Sequence, residues 1–182
     1  DLPYGFANQH IAHVATRMGV PVGYWRSVGH SHNAFFSESF IDELAFETKQ
    51  DPFAFRAAML AAAPRYLAVL QLAADKAQWG SALPAGHARG IALHESFGSI
   101  VAEVAEVSLV DGKPRVHRVV CAIDCGAVIN PNTVAQQMEG AVIFGLTAAL
   151  YGKIDIQDGV VQQSNFPSYP MVKLAEAPVV ET

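Results

Sequence analysis

The feature that most constrains the fold is a run of three strand candidates separated by two turn signals. It spans residues 91–124 and reads IALHESFGSIVAEVAEVSLVDGKPRVHRVVCAID. Apolar and polar residues alternate along much of it, which is typical of strands that bury one face. Phe97-Gly98 separates the first two candidates, and DGKP at residues 111–114 separates the last two. The sequence therefore predicts a β-hairpin region over residues 87–126. We expect the following residues to share one face of its last strand: Arg115, His117, Val119, Cys121 and Ile123.

Three helices are predicted over residues 33–80. The first runs from residue 33 to residue 49, with Asn33 as its candidate N-cap. Its apolar stripe consists of Phe36, Phe40, Ile41 and Leu44. The second opens at Asp51-Pro52, where an acceptor side chain precedes a proline at the first helical position, and it stops before Pro64. The third begins at Pro64 and ends near Gly80.

The flanking parts complete an α+β pattern of mixed helices and antiparallel hairpins. A fourth helix is predicted over residues 131–150, capped by Asn130 or Asn132. One face of it carries Val134, Met138, Val142, Leu146 and Ala149. Residues 1–32 are interpreted as strand and loop, with a candidate strand at 10–17. Residues 151–182 are interpreted as a hairpin turned at Asp158-Gly159 and a strand-like end that reads as cut short. The order predicts a single segment over residues 1–182 rather than a regular βαβ alternation.

Charge and cysteine content exclude several classes. Twelve Lys and Arg against 17 Asp and Glu give a net charge of −5 without a basic run, so we expect no nucleic-acid partner. Cys121 and Cys125 stand without a CxxC pair, which predicts small buried residues rather than a zinc site or a disulfide framework. The most apolar stretch, residues 141–150, has about half of the roughly 20 residues that a membrane-spanning helix needs.

The loop WRSVGHSHN at residues 25–33 admits four interpretations: a binding loop, a metal site, a nucleophile loop or ordinary packing. GHSHN approaches the G-x-S-x-G elbow of serine hydrolases, but Asn33 replaces the last glycine and no clear strand precedes it. His30 and His32 would point the same way from an extended chain, although no third metal ligand stands near them in sequence.

Two positions favour ligand binding. Arg26 offers a fixed fork of donors that suits phosphate or oxo groups, and Trp25 beside it could pack a flat ligand; the alternative is a surface Arg–Trp contact. Gln137 can donate and accept, as a heterocycle edge requires; the alternative is a solvated helix face. Gly140 and Gly145 within the helix indicate a close approach by a neighbouring backbone or by a ligand.

Two long stretches together resemble a known family. They are GYWRSVGHSHNAFFSESFIDELAFETKQDPFAFR at residues 23–56 and VVCAIDCGAVINPNTVAQQMEGAVIFGLTAALYG at 119–152. Both resemble segments of the molybdenum-binding large (beta) subunits of the xanthine dehydrogenase and aldehyde oxidase family, in the branch of the isoquinoline 1-oxidoreductase beta subunits. QSNFPSYPMVKLAEAP at residues 163–178 resembles the downstream part of that branch. The family pattern D-x-G…N-P…Q-x-E-G-A…G-L falls on Asp124, Gly126, Asn130-Pro131, Gln137, Glu139-Gly140-Ala141 and Gly145-Leu146.

The resemblance implies that the chain is part of a larger molybdopterin-binding domain. Arg26 would lie next to the oxo ligands of the metal, and Trp25, Arg26, Ser27 and Gln137 would contact the cofactor. Val28, where family members often have phenylalanine, would line the substrate pocket. The chain would supply no metal ligand. The general-base glutamate would follow residue 182 and a Met-Gly-Gln-Gly motif would precede residue 1, so we expect a fragment that is inactive by itself and binds no cofactor tightly.

The activity implied by the resemblance is oxidation of an N-heterocycle or an aldehyde with oxygen taken from water. The implied cofactor is molybdenum–molybdopterin in its cytosine dinucleotide form. Electrons would pass to iron–sulfur clusters on a small [2Fe–2S] subunit or to a cytochrome. The remainder of the large subunit would be a further partner, in the cytoplasm or periplasm of a bacterium. The alternative is a non-catalytic binding or assembly module of the same fold without the cofactor.

Overall fold

A computed structural model describes residues 2–16 and 19–182. Its helices are α1 (His30–Glu47), α2 (Pro52–Met59), α3 (Pro64–Lys76) and α4 (Pro131–Tyr151). Its strands are β1 (His87–Ser96), β2 (Ser99–Val110), β3 (Lys113–Asp124), β4 (Ile156–Gln157), β5 (Val160–Val161) and β6 (Val179–Glu181). This confirms the predicted α+β class. No helix in the part of the chain described is long and apolar enough to cross a membrane.

A four-stranded sheet forms the centre of the molecule, in the order β1-β2-β3-β6. The pairs β1–β2 and β2–β3 are antiparallel, as the two turn signals predict. β6 departs from the expected antiparallel pattern, because it adds to β3 in parallel, with Val119 opposite Val180. The small β4–β5 hairpin turns at Asp158-Gly159, where both residues have positive φ, as the sequence predicts.

An irregularity in β3 corrects the predicted strand face. Val107 pairs with Val116 whereas its neighbour Glu106 pairs with Arg118, so His117 is an extra residue on β3. One extra residue reverses the in–out alternation beyond it. Val116 and Val119 therefore both pack against Val142 of α4. The prediction that Arg115 and His117 share a face with Val119, Cys121 and Ile123 is wrong for this reason.

Helices cover both faces of the sheet. On one face, side chains of α1 and α3 pack on alternate strand residues in a core that contains Ile41, Leu60, Leu70, Ala73, Ile91, Leu93, Ile100, Ala102, Val104, Val120 and Ala122. On the other face α4 places Val142 against Val116 and Val119. The sheet thus separates the three consecutive helices from α4, and α4 keeps a face that points away from the strands.

Helix α1 differs from its prediction at its start and in its packing. It begins at His30, three residues before Asn33, and its N-cap Gly29 makes no side-chain capping bond. Ile41 is fully buried and Leu44 partly buried, but Phe36 and Phe40 are 63% and 53% exposed. The buried residues of α1 are Glu38, Ile41 and Ala45. A charged residue therefore takes part in the packing face, which an apolar pattern does not reveal.

Glu38 is buried because a complete set of partners surrounds it. Arg56, also fully buried, donates from Nε to Glu38 Oε2 at 2.9 Å and from Nη1 to Asp42 Oδ1 at 2.6 Å. The Tyr4 hydroxyl and the Leu93 amide also donate to the Glu38 carboxylate, both at 2.8 Å. Burial, together with the charge of Glu38, raises the pKa of the Tyr4 hydroxyl. This network joins the N-terminal segment, α1, α2 and β1.

The other helices agree closely with the capping signals. Asp51 accepts from the amide of Ala54 at 2.9 Å, and Asn130, not Asn132, accepts from Thr133 at 3.3 Å. α3 ends at Lys76, four residues before the predicted Gly80. Within α4 the expected apolar face holds for Met138 and Val142, whereas Ala149 is exposed.

The candidate strand at residues 10–17 is absent: residues 10–16 form no strand, and residue 17 lies outside the described residues. Both cysteines are free, Cys121 buried and Cys125 half-buried, as predicted. Burial raises the pKa of the Cys121 thiol, which lies 3.6 Å from the Glu103 carboxyl.

Candidate functional site

The loop that precedes α1 packs on helix α4. The ring centroid of Trp25 lies 5.6 Å from that of Phe144, at an interplanar angle of 47°. The guanidinium carbon of Arg26 lies 4.9 Å from the centroid of the same Phe144 ring. Two adjacent loop residues therefore meet one aromatic ring on a distant helix. The predicted pair Trp25 and Arg26 and the predicted helix α4 are thus brought together.

The backbone of this loop is a tight turn in a sparsely populated conformation. The Val28 amide donates to the Trp25 carbonyl at 2.9 Å, and the His30 amide donates to the Ser27 carbonyl at 3.0 Å. Ser27 and Val28 have φ values of 72° and 53°. A β-branched residue rarely adopts positive φ, and such outliers are concentrated at functional sites. The Ser27 hydroxyl contacts Ser31 Oγ and the Arg26 carbonyl, so it is engaged within the turn.

Arg26 has its donors available. Its side chain is exposed, and within residues 2–16 and 19–182 the guanidinium makes no hydrogen bond or ion pair. One flat face lies towards Phe144. An arginine in this state can still donate in its own plane to phosphate, carboxylate or oxo groups.

The same face of α4 that carries Phe144 also carries Gln137. Residues seven apart differ by about 20° around an α-helix and by about 10.5 Å along it. Gln137 is exposed and makes no hydrogen bond within the described residues. Gly140 and Ala141 lie between Gln137 and Phe144, and a Cβ atom at Gly140 would meet no protein atom within 4 Å.

The open space at Gly140 decides between two predicted explanations. A close neighbouring backbone is wrong for both helix glycines, since Gly145 is equally open within the described chain. A ligand approaching the helix remains the prediction. An exposed amide, a smooth strip without side chains and an aromatic ring form a surface that fits a flat polar heterocycle with an anionic arm.

The D-x-G and N-P residues of the family pattern support α4 rather than line this face. Asp124 accepts from Arg65 Nε at 2.9 Å and from the Gly126 amide at 3.0 Å, and Gly126 has φ 77°. The hydrogen bond from Arg65, followed by that from the Gly126 amide, lowers the pKa of Asp124. Asn130 then caps α4. These contacts fix where α4 leaves the sheet.

The metal-site interpretation of the histidines is not supported. His30 and His32 lie in the first turn of α1, where residues two apart point about 200° from each other, so the expectation of an extended pair is wrong. His30 instead meets His94, with 3.0 Å between Nδ1 and Nε2. Burial, then the neighbouring His30, lowers the pKa of His94. No group of three or more His, Cys, Asp or Glu residues able to hold a metal occurs in the described chain.

The nucleophile-elbow interpretation is also wrong. No strand leads into Ser31, which lies in the first turn of α1. Its hydroxyl contacts the Ser27 hydroxyl and the Arg26 carbonyl, not a histidine. The local motif therefore serves the turn between loop and helix.

Phe144 is the site residue that the sequence reasoning missed. Its position, seven residues after Gln137 and hence on the same helix face, was an available signal. The partner loop, more than a hundred residues away in sequence, was not predictable from local pattern. Ser27 and Val28 complete the turn beside this contact, and their assigned roles stay predictions.

Comparison with known proteins identifies the family. The sequence pattern that defines the molybdopterin cofactor-binding domain matches residues 42–178. The beta chain of isoquinoline 1-oxidoreductase from Brevundimonas diminuta is 35% identical over 97% of this chain and 23% of its own length. The second component, B, of nicotinate dehydrogenase from Pseudomonas putida is 28% identical over 98% of this chain and 17% of its own length.

A third relative carries a different cofactor in its name. Membrane-bound aldehyde dehydrogenase [pyrroloquinoline-quinone] of Gluconacetobacter polyoxogenes is 27% identical over 87% of this chain and 23% of its own length. The chain thus spans about a quarter or less of each of these relatives. Because the domain pattern covers most of residues 1–182, the chain belongs to the molybdopterin cofactor-binding domain family.

Proposed function

We propose that the chain forms one wall of the molybdopterin site of an oxidoreductase that oxidises an N-heterocycle or an aldehyde. The observation that carries the proposal is the open surface on α4. Arg26, with its donors free, lies across Phe144 on the helix face that also presents Gln137 and the uncovered Gly140. The relatives named for isoquinoline, nicotinate and aldehyde oxidation support this substrate class.

Each residue of the chain has a binding role in this proposal. Arg26 donates to the oxygen-rich end of the cofactor, where a guanidinium fork stabilises negative charge. Gln137 donates to and accepts from the edge of the pterin ring. Trp25 and Ser27 shape the turn that presents Arg26, and Val28 borders the substrate pocket. The bound cofactor supplies the redox chemistry that these side chains lack, with oxygen taken from water.

The rest of the site comes from outside the chain in this proposal. The remainder of the same large subunit contributes the general-base glutamate and covers exposed aromatic residues of α1, such as Phe36 and Phe40. A small [2Fe–2S] subunit or a cytochrome accepts the electrons, and the cofactor is the cytosine dinucleotide form. The protein works in the cytoplasm or periplasm of a bacterium.

The test measures molybdenum and pterin content in the complete large subunit. Gln137→Ala removes a hydrogen-bond partner of a buried ring edge, worth about 1–3 kcal/mol, so cofactor affinity falls by roughly 5- to 150-fold. Gln136→Ala is the matched control, because this exposed neighbour points about 100° away. Arg26→Ala lowers turnover while the fold is retained.

Two outcomes would contradict the proposal. Unchanged cofactor content and turnover in Gln137→Ala would remove Gln137 from the site. A correctly matured wild-type subunit without molybdenum would favour a non-catalytic binding or assembly module.

A further inference from the structure

We propose that Phe144 is a positioning residue that anchors the Trp25–Arg26 turn to α4 and orients the Arg26 guanidinium before any ligand arrives. This inference rests on the proposed function for the purpose of the orientation, but the anchor itself is a property of the chain. Phe144 is assigned no direct contact with substrate or cofactor. It acts through Arg26.

The first argument is that two contacts converge on one ring. Trp25 and Arg26 are adjacent, and both face the Phe144 ring, at 5.6 Å and 4.9 Å. Tilted aromatic pairs at this separation and cations over ring faces are both attractive. A single side chain of α4 therefore receives both large side chains of the turn.

The second argument is that little else connects this turn to the rest of the fold. Its backbone bonds are local, from Val28 to Trp25 and from His30 to Ser27. Its neighbours Val22 and Tyr24 are more than nine-tenths exposed, and Trp25 itself is half-exposed. With the ring of Phe144 removed, the side chains of the turn lose the contacts that oppose rotation of the loop.

The third argument concerns the guanidinium. A ring beneath one flat face leaves the donors at the guanidinium edge free, and no acceptor within the described residues competes for them. Fixing a long side chain in advance reduces the ordering cost of binding. The positive φ values at Ser27 and Val28 place the turn in a conformation that needs such an external contact to persist.

The test uses limited trypsin cleavage at the bond after Arg26, resolved by mass spectrometry in the purified, cofactor-free chain. The bond after the exposed Lys153 serves as the internal reference. Phe144→Leu keeps an apolar side chain but removes the ring, and we expect the ratio of the two cleavage rates to rise about tenfold, because local opening of the turn controls cleavage. Phe144→Tyr keeps the ring and should keep the wild-type ratio.

Control variants make each outcome decisive. Phe46→Leu replaces an 80% exposed phenylalanine of α1 and should leave the ratio unchanged. An unchanged ratio in Phe144→Leu, or equal acceleration at both bonds, would overturn the anchor.

Measurements on the complete subunit separate this inference from the proposed function. We expect Phe144→Leu to lower kcat with molybdenum content preserved, and Phe144→Tyr to restore kcat. A subunit that holds no molybdopterin, together with the expected cleavage ratio, would overturn the proposed function while supporting the anchor.

Discussion

Arg56 is the residue on which the helical side of the molecule most depends. It is fully buried and bonds both side chains, Glu38 and Asp42, that approach it from α1. A second bond, from Nη2 to the Glu38 carbonyl, holds the guanidinium against the α1 backbone. Burying such a pair costs much of its attraction, so its worth lies in what happens when one partner is lost. Glu38 would then remain buried with its charge uncompensated.

We predict that Arg56→Met destabilises the chain by about 3–5 kcal/mol, measured by urea denaturation at neutral pH. The control is Arg65→Met, which breaks the exposed Arg65–Asp124 pair and should cost about 1 kcal/mol or less. Equal losses in the two variants would show that the buried network contributes nothing special.

Helix α4 shows how local signals position a functional face. Asn130 and Pro131 set its start, and Met138 and Val142 orient it on the sheet. At about 100° per residue, Gln137 then lies about 100° and 140° around the helix from these two buried residues. The face with Gln137, Gly140 and Phe144 is free because the opposite side packs.

We predict that Asn130→Ala lowers the free energy of unfolding by about 1 kcal/mol, since the amide of Thr133 loses its side-chain acceptor. Thermal or urea unfolding provides the measurement. Asn132→Ala, a substitution in the first turn of α4 where no capping bond occurs, should change stability by a few tenths of a kcal/mol at most. A larger effect at residue 132 would contradict the assigned cap.

Local and non-local information divide the elements clearly. The bounds of α2, α4 and β1–β3 follow from caps and turns within a few residues, and these were predictable. The parallel addition of β6, the extra residue His117 and the burial of Glu38 each depend on a partner far along the chain. At the site, Arg26 and Gln137 stand out by residue type, whereas the ring that joins loop and helix does not.

The whole molecule places its two candidate binding elements on one side of the sheet. The three consecutive helices occupy the opposite face, so the turn at residues 25–28 reaches α4 before the chain enters α1. Several large apolar side chains outside both cores are exposed, among them Phe35, Phe46, Ile129 and Leu174. Exposure on this scale is what a chain that spans a quarter or less of its relatives would show if other protein covered it.

The central claim is that the turn at residues 25–28 and the Gln137 face of α4 form one molybdopterin-binding surface. The most direct test is the molybdenum and pterin content of the complete subunit carrying Gly140→Leu. Leucine is a better helix former than glycine by almost 1 kcal/mol, and a Cβ at this position meets no protein atom within 4 Å, so the fold should be kept. We expect cofactor content to fall at least about tenfold, the effect of roughly 1.4 kcal/mol of lost binding, while Gly145→Leu retains it. A folded Gly140→Leu subunit with full cofactor content would contradict the claim.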